Sequence, residues 1–287
     1  MNSNITIPLD EAKRFLAGRP GLVLGQGAST RTSPTEIYRD LRAIAVKVSD
    51  DEAFKAALES QDLASVLDEI ASVAPDSYEQ FRTEGVRYLQ NLKPSFILEK
   101  LARIPWSTII SVSLDSCLEE AIRLFLSSKP TQRHVTVVAS PTVLGRPALL
   151  LPVFKLLGNC RDVSDPSRVA LARSEELLKL QEWRQILSPA RDFIRDGGLL
   201  FLGLDENVQR VRDLLAAIYA AQAPFPSYLL FLESDPCGAD AVVQRLASGK
   251  SQLRRVNATA QALISALDSP SAIQLQLGLA PTGRVKA

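Results

Sequence analysis

Residues 21–29 read GLVLGQGAS, and this stretch constrains the chain more than any other. The apolar run Leu22-Val23-Leu24 leads directly into Gly25-Gln26-Gly27-Ala28-Ser29. That pattern predicts a buried parallel strand ending in a tight, glycine-bearing turn. Glycine allows positive φ and close approach of the backbone, so free N–H groups there can surround a phosphate. Two readings stand at this point. One is a nucleotide-diphosphate site at the carboxyl end of the first strand of an α/β sheet; the other is a strand-to-helix turn that holds no ligand.

The remainder of the chain predicts an alternation of helix and strand. Residues 8–18 suit a short helix before the first strand. Ser33-Pro34-Thr35-Glu36 combines an N-cap, a proline at the first helical position and a glutamate three residues after the cap, predicting a helix over 34–48. Ser49-Asp50-Asp51-Glu52 opens a second helix to about Ser60. Leu63, Val66, Leu67 and Ile70 place a third over 62–73, Asp76 can cap a fourth to about Asn91, and Pro94 can begin a fifth that stops before Pro105. Residues 34–104 therefore form a helical block inserted between the first two strands. Strands are expected at 107–112, 134–139, 149–156, 199–202, 227–232 and 253–256. Helices are expected at 115–127, 174–187, 208–218, 239–247 and 257–267. This order predicts an α/β fold, a doubly wound, Rossmann-like parallel sheet of about six strands, in one domain over residues 1–268, with 269–287 a tail or linker. In such sheets ligands lie beyond the carboxyl ends of the strands at a topological switch point. The informative positions are then residues 25–29, 111–115, 156–159 and 203–207.

Composition excludes several classes. With 33 Lys and Arg against 32 Asp and Glu, there is no basic field pointing to nucleic acid. Cys117, Cys160 and Cys237 are widely separated, so a structural zinc module is not expected, and such sparse use suits a reducing cytosol. The N-terminus MNSNITIPLDEAKR has no signal-peptide core, and the longest apolar runs are too short to span a bilayer. The expectation is a soluble, cytoplasmic protein with no membrane or direct nucleic-acid partner.

From about Gly21 to Leu232 the four strand ends resemble, in order and spacing, the sirtuin-like domains, especially the zinc-free bacterial branch associated with NAD hydrolysis and phage defence. LVLGQGAS looks like that family's opening strand and Gly-x-Gly-Ala-Ser loop, which lies against the diphosphate of NAD. The helical block is similar to the insertion of the zinc-free branch. ISVSLDSCL at 110–118 sits where the family has Thr-Asn-x-Asp: Asp115 matches the aspartate, and Ser113 stands at the catalytic asparagine. VFKLLG at 153–158 sits where the family has Lys-x-His-Gly: Lys155 and Gly158 match, and Leu157 stands at the catalytic histidine. LFLGLDENVQRVRDLL at 200–215 looks like the late strand and Gly-x-Ser turn. Gly203 matches, Asp205 takes the serine position, and Val208 replaces a common later aspartate.

The resemblance implies a cleft for NAD or ADP-ribose and no zinc. Cofactor contacts would fall to Gly25, Gln26, Gly27, Ala28, Ser29, Arg31, Asp115, Gly203 and Asp205. It also implies protein partners or a homo-oligomer within a defence-type system. The framework positions match, whereas Ser113 and Leu157 do not match the groups that carry the chemistry. Leucine moves no proton, and losing a positioned base costs about 10²–10⁴-fold in rate. The expectation is a module without ordinary NAD cleavage. A hydrolase using a displaced group such as Asp115 or Asp205, and a structural module with a filled pocket, are the alternatives. Asp115 and Asp205 each suit a helix cap as well as a ribose contact. Arg31 suits either a phosphate or solvent. The one histidine, His134, lies in a strand with no motif around it.

Overall fold

The computed structural model describes residues 6–7, 18–104, 106–127, 135–140, 151–162, 168–193, 198–203, 227–230 and 253–256. Eight strands fall within them: β1 (Thr6–Ile7), β2 (Gly21–Leu24), β3 (Ile109–Ser111), β4 (Val135–Val138), β5 (Leu151–Lys155), β6 (Leu199–Leu202), β7 (Ser227–Leu230) and β8 (Leu253–Val256). They form one sheet in the order β1-β8-β7-β6-β2-β3-β5-β4. Every pairing is parallel. The seven expected strand segments all carry strands, and the eighth, β1, is the difference. It is a two-residue edge strand whose partner β8 lies far along the chain, so no local pattern marks it.

Parallel strands at the centre of a sheet are buried on both faces and read as continuous apolar runs. β2 and β6 show this, with all four residues of each buried. Alternate residues then enter different apolar clusters. Val23, Ile110, Phe154 and Phe201 join one. Leu22, Leu24, Ile109, Val153, Leu200 and Leu202 join the other. This period-two division gives the sheet a packed layer on each face.

The block between β2 and β3 is helical as expected. It holds α1 (Gln26–Ser29), α2 (Pro34–Val48), α3 (Glu52–Ser60), α4 (Leu63–Val73), α5 (Pro75–Asn91) and α6 (Phe96–Leu101). The bounds of α2 follow its cap. Ser33 Oγ accepts from Glu36 N–H at 3.3 Å, and Glu36 Oε2 accepts from Ser33 N–H at 2.9 Å. Those backbone and side-chain bonds from Ser33 hold the Glu36 carboxyl below its ordinary value. Ser33→Ala removes this reciprocal cap and is expected to lower the melting temperature by about 2–4 °C in a thermal melt.

Other helices start elsewhere than expected. α3 begins at Glu52 after Asp51, whose Oδ1 accepts the Ala53 N–H at 2.7 Å, so Ser49 does not open it as a capping box. α5 begins at Pro75, after Ala74, with no side-chain cap, so Asp76 lies inside its first turn. α6 begins after Ser95 instead of at Pro94, because Ser95 Oγ accepts the Leu98 N–H at 3.0 Å. The insertion is tied to the sheet domain through Arg82 on α5. Its guanidinium donates to Val169 O at 3.1 Å and to Tyr78 Oη at 2.8 Å, and pairs with Glu175.

After β3 comes α7 (Cys117–Ser127), and after β5 comes α8 (Arg173–Phe193). The expected helices at 8–18, 208–218, 239–247 and 257–267, and the tail at 269–287, fall wholly or largely outside the described residues. Among the described residues no helix is long and apolar enough to cross a membrane.

Candidate functional site

The central strand β2 lies between β6 and β3. The chain leaves β2 for β3 on one side and reaches β6 on the other only later, so the carboxyl end of β2 is a switch point of the sheet. The loop GQGAS stands there. Gly25 N–H donates to Leu202 O, and Gly27 N–H donates to Gly203 O, both at 2.9 Å. Gln26–Ser29 closes as a single helical turn directly after the strand.

Gly27 and Gly203 are glycines for a stated reason. A Cβ on Gly27 would lie 3.1 Å from Gly203 O. Gly203 has φ +67°, and a Cβ there would lie 2.3 Å from Ala28 N. The ends of β2 and β6 touch backbone to backbone.

On the other side of the switch point, Asp115 is completely buried and its carboxylate receives three donors. Gln26 Nε2 donates to Oδ2 at 2.6 Å. Ser29 Oγ and the Cys117 N–H both donate to Oδ1, at 2.6 and 2.8 Å. The bond to Cys117 ties Asp115 to the start of α7. The bonds to Gln26 and Ser29 join it to the glycine loop.

Ser113 is also fully buried, with its Oγ 2.8 Å from Ser111 Oγ. Lys155, at the end of β5, donates to Ser113 Oγ at 3.3 Å and to the Asp115 main-chain oxygen. Glu119 on α7 completes an ion pair with Lys155 at 3.5 Å, and neither Glu119 oxygen receives a hydrogen bond. Burial works against the charge on Lys155, but the Glu119 and Asp115 carboxylates outweigh it and hold the ammonium above its ordinary value. A lysine kept charged in this way is a donor and not a base.

Leu157 is fully buried and belongs to the apolar cluster under the insertion. Its carbonyl accepts the Ala170 N–H at 2.8 Å. Gly158 follows with φ +83°, where a Cβ would lie 2.0 Å from Arg168 O. Arg31 turns away from the switch point. Its side chain is 67% exposed, donates to Pro94 O at 3.0 Å and pairs with Glu99 at 3.4 Å. Asp205 and His134 lie outside the described residues.

The structure thus brings Gln26, Ser29, Ser113 and Asp115 into one buried network, sets Gly27 against Gly203, and leaves Arg31 on the surface. Sequence reasoning gave no role to Lys155 and Glu119, which set the charge of this network. The signal available was a lysine closing an apolar strand, a position where charge needs a partner. The network is closed to solvent: at the strand ends 25–29, 111–115, 155–158 and 202–203, only Gly27 is more than marginally exposed. A narrow cavity of about 20 Å³ lies next to it, between the insertion and the segments that follow β3 and lead into α8, bordered by Tyr38, Asp62, Phe81, Leu114 and Glu176.

Cys117 and Cys160 are buried free thiols. Burial pushes both thiols up, and the Asp115 carboxylate beside Cys117 adds to the effect there. The thiolate is the reactive form, so both are expected to resist iodoacetamide at pH 8 in the folded protein and to label in guanidinium. Peptide mass spectrometry checks this, and native labelling of either would contradict the burial described.

Among the described residues no group of three or more His, Cys, Asp or Glu is placed to hold a metal ion. Neither the protein-family models nor the curated proteins compared with this sequence match it. What the fold and site define is an α/β protein with a parallel, Rossmann-compatible sheet and a buried polar network at its switch point.

Proposed function

We propose that this chain is a sirtuin-like, doubly wound module that acts by binding and not by turnover, holding NAD or ADP-ribose or a protein partner within a prokaryotic defence-type system. The observation that carries the reading is the pair Ser113 and Leu157. Both are buried, at positions where the resemblance asks for the asparagine and histidine of NAD cleavage. Ser113 Oγ receives a bond from a charged lysine, and Leu157 has no proton to move. Binding is separable from cleavage, because a diphosphate is held by main-chain N–H groups at a loop and helix start. The N–H groups of Gly25 and Gly27 are already given to Leu202 O and Gly203 O, so that half of the reading rests on the resemblance of the GQGAS loop.

A second reading is favoured by the saturation of Asp115: the cleft is filled by its own side chains, and the module serves assembly alone. Thermal melts with ADP-ribose and NAD separate the two. A ligand at 100 times its dissociation constant adds about 2.7 kcal/mol, which is several degrees for a chain of this size. The nucleotide-binding reading expects that shift, while no shift at millimolar ADP-ribose or NAD leaves only assembly. A displaced-base hydrolase built on Asp115 fits poorly, since that carboxylate already serves three donors.

A further inference from the structure

Among the described residues β4 is an edge of the sheet, with β5 as its one neighbour. The opposite edge, β1, is only two residues long. Edge strands are commonly kept from further pairing by shortness, charge, proline or a bulge. β4 reads Val135-Thr136-Val137-Val138, β-branched throughout and without charge or proline. Its neighbour β5 is buried from Pro152 to Lys155, whereas Val135, Thr136 and Val137 are only half-buried. The cover that the sheet gives its inner strands is incomplete at this edge.

The register shows which main-chain groups of β4 are open. Leu156 N–H donates to Ser111 O at 2.9 Å, so the even-numbered residues of β5 turn their main-chain groups toward β3. Main-chain groups alternate sides along a parallel strand, so Leu151, Val153 and Lys155 turn theirs toward β4. Val153 lies opposite Val137 and bonds to Thr136 and Val138 on either side of it. The N–H and C=O groups of Val135 and Val137 therefore point away from the sheet.

We infer that this edge pairs with the β4 of a second copy of the chain, antiparallel about a two-fold axis, so that two sheets join into one. Val135 of each copy exchanges N–H···O=C bonds with Val137 of the other, and the two Thr136 residues face each other on the axis. Every open donor then meets an open acceptor, as a self-complementary two-fold contact requires. Thr136 opposite Thr136 is a favourable cross-strand pair, and a strand without charge meets its own copy with no like charges opposed. The added strand also covers the half-buried valines. This contact does not depend on whether the switch point binds a nucleotide.

Sedimentation equilibrium of the whole chain should show a concentration-dependent dimer. Val137→Pro removes an outward N–H and leaves the ladder to β5 intact, a place where an edge strand tolerates proline. The variant should keep its circular dichroism spectrum and dimerise about tenfold or more weakly. Cysteine cross-linking reads the register directly. In the two-fold pairing the Thr136 Cα atoms lie about 4.5 Å apart, within disulfide range. Thr136→Cys should therefore link to its own copy on mild oxidation, and Val135→Cys, set opposite Val137, should not. Peptide mass spectrometry separates that link from any made by the native cysteines. A chain that sediments as a monomer at every concentration overturns the inference, as does a dimer that a folded Val137→Pro variant leaves at full strength. If Val137→Pro does not fold, the cysteine variants decide: no link between the copies of Thr136→Cys, or equal linking of Val135→Cys, overturns it as well.

Discussion

Lys155→Ala is expected to destabilise the fold by about 3–5 kcal/mol, read as a fall of roughly 6–15 °C in melting temperature. The side chain is fully buried. Its removal leaves Glu119, whose side chain is 11% exposed, without its counter-charge, and the Asp115 main-chain oxygen without that donor. Losing one member of a buried pair costs more than losing both, because the remaining charge stays in a poorly solvated place. Lys155→Met with Glu119→Gln should therefore recover most of the loss, and the coupling in a double-mutant cycle should exceed about 1 kcal/mol. A single substitution costing under about 1 kcal/mol would contradict the description of the network. The pH dependence has a definite sign. The folded-state value of Lys155 lies above its ordinary value of 10.5, so its contribution is fully present below that pH and fades only as pH rises through the higher folded value. Between pH 6 and 9 the penalty of Lys155→Ala should be constant with respect to the lysine's own titration.

Gly203→Ala is the second large effect. A non-glycine residue at φ +67° costs about 1–2 kcal/mol, and the added methyl would lie 2.3 Å from Ala28 N and 2.5 Å from Ala28 Cβ. Overpacking on this scale adds about 1–3 kcal/mol, giving about 3 kcal/mol in all. The methyl can be relieved only by moving β6 away from α1, so the bond from Gly27 N–H to Gly203 O should open as well. Hydrogen exchange at the Gly27 amide should accelerate by more than the global loss of stability accounts for. Unchanged exchange with a small stability loss would mean that the two strand ends are not in contact.

Local patterns carried much of this fold because their causes are local. The Ser33-Pro34-Thr35-Glu36 box sits within one turn, and α2 runs over the residues it predicts. The run Leu22-Val23-Leu24 is apolar because both faces of β2 are covered, and that too is read from neighbours in sequence. The start of α5 was less legible, because proline at its first turn and not Asp76 sets it. The candidate site was legible as a set of strand ends but not as a network. Gln26 and Asp115 are 89 residues apart, and nothing in either flanking sequence says that the amide of one meets the carboxylate of the other. The resemblance implies a loop Gln26 beside a cofactor phosphate, and the structure uses it as the bridge between β2 and β3. Likewise the placement of β2 between β6 and β3, which creates the switch point, is a property of the whole sheet.

The central proposal is a cleft that binds without turning NAD over. Its most direct test is nicotinamide release from NAD, followed over hours by chromatography with the folded wild-type chain. The account predicts no release above the protein-free blank, with Ser113 and Leu157 where an asparagine and a histidine would be needed. Release that scales with protein concentration, and that disappears in a folded Asp115→Ala variant, would contradict it.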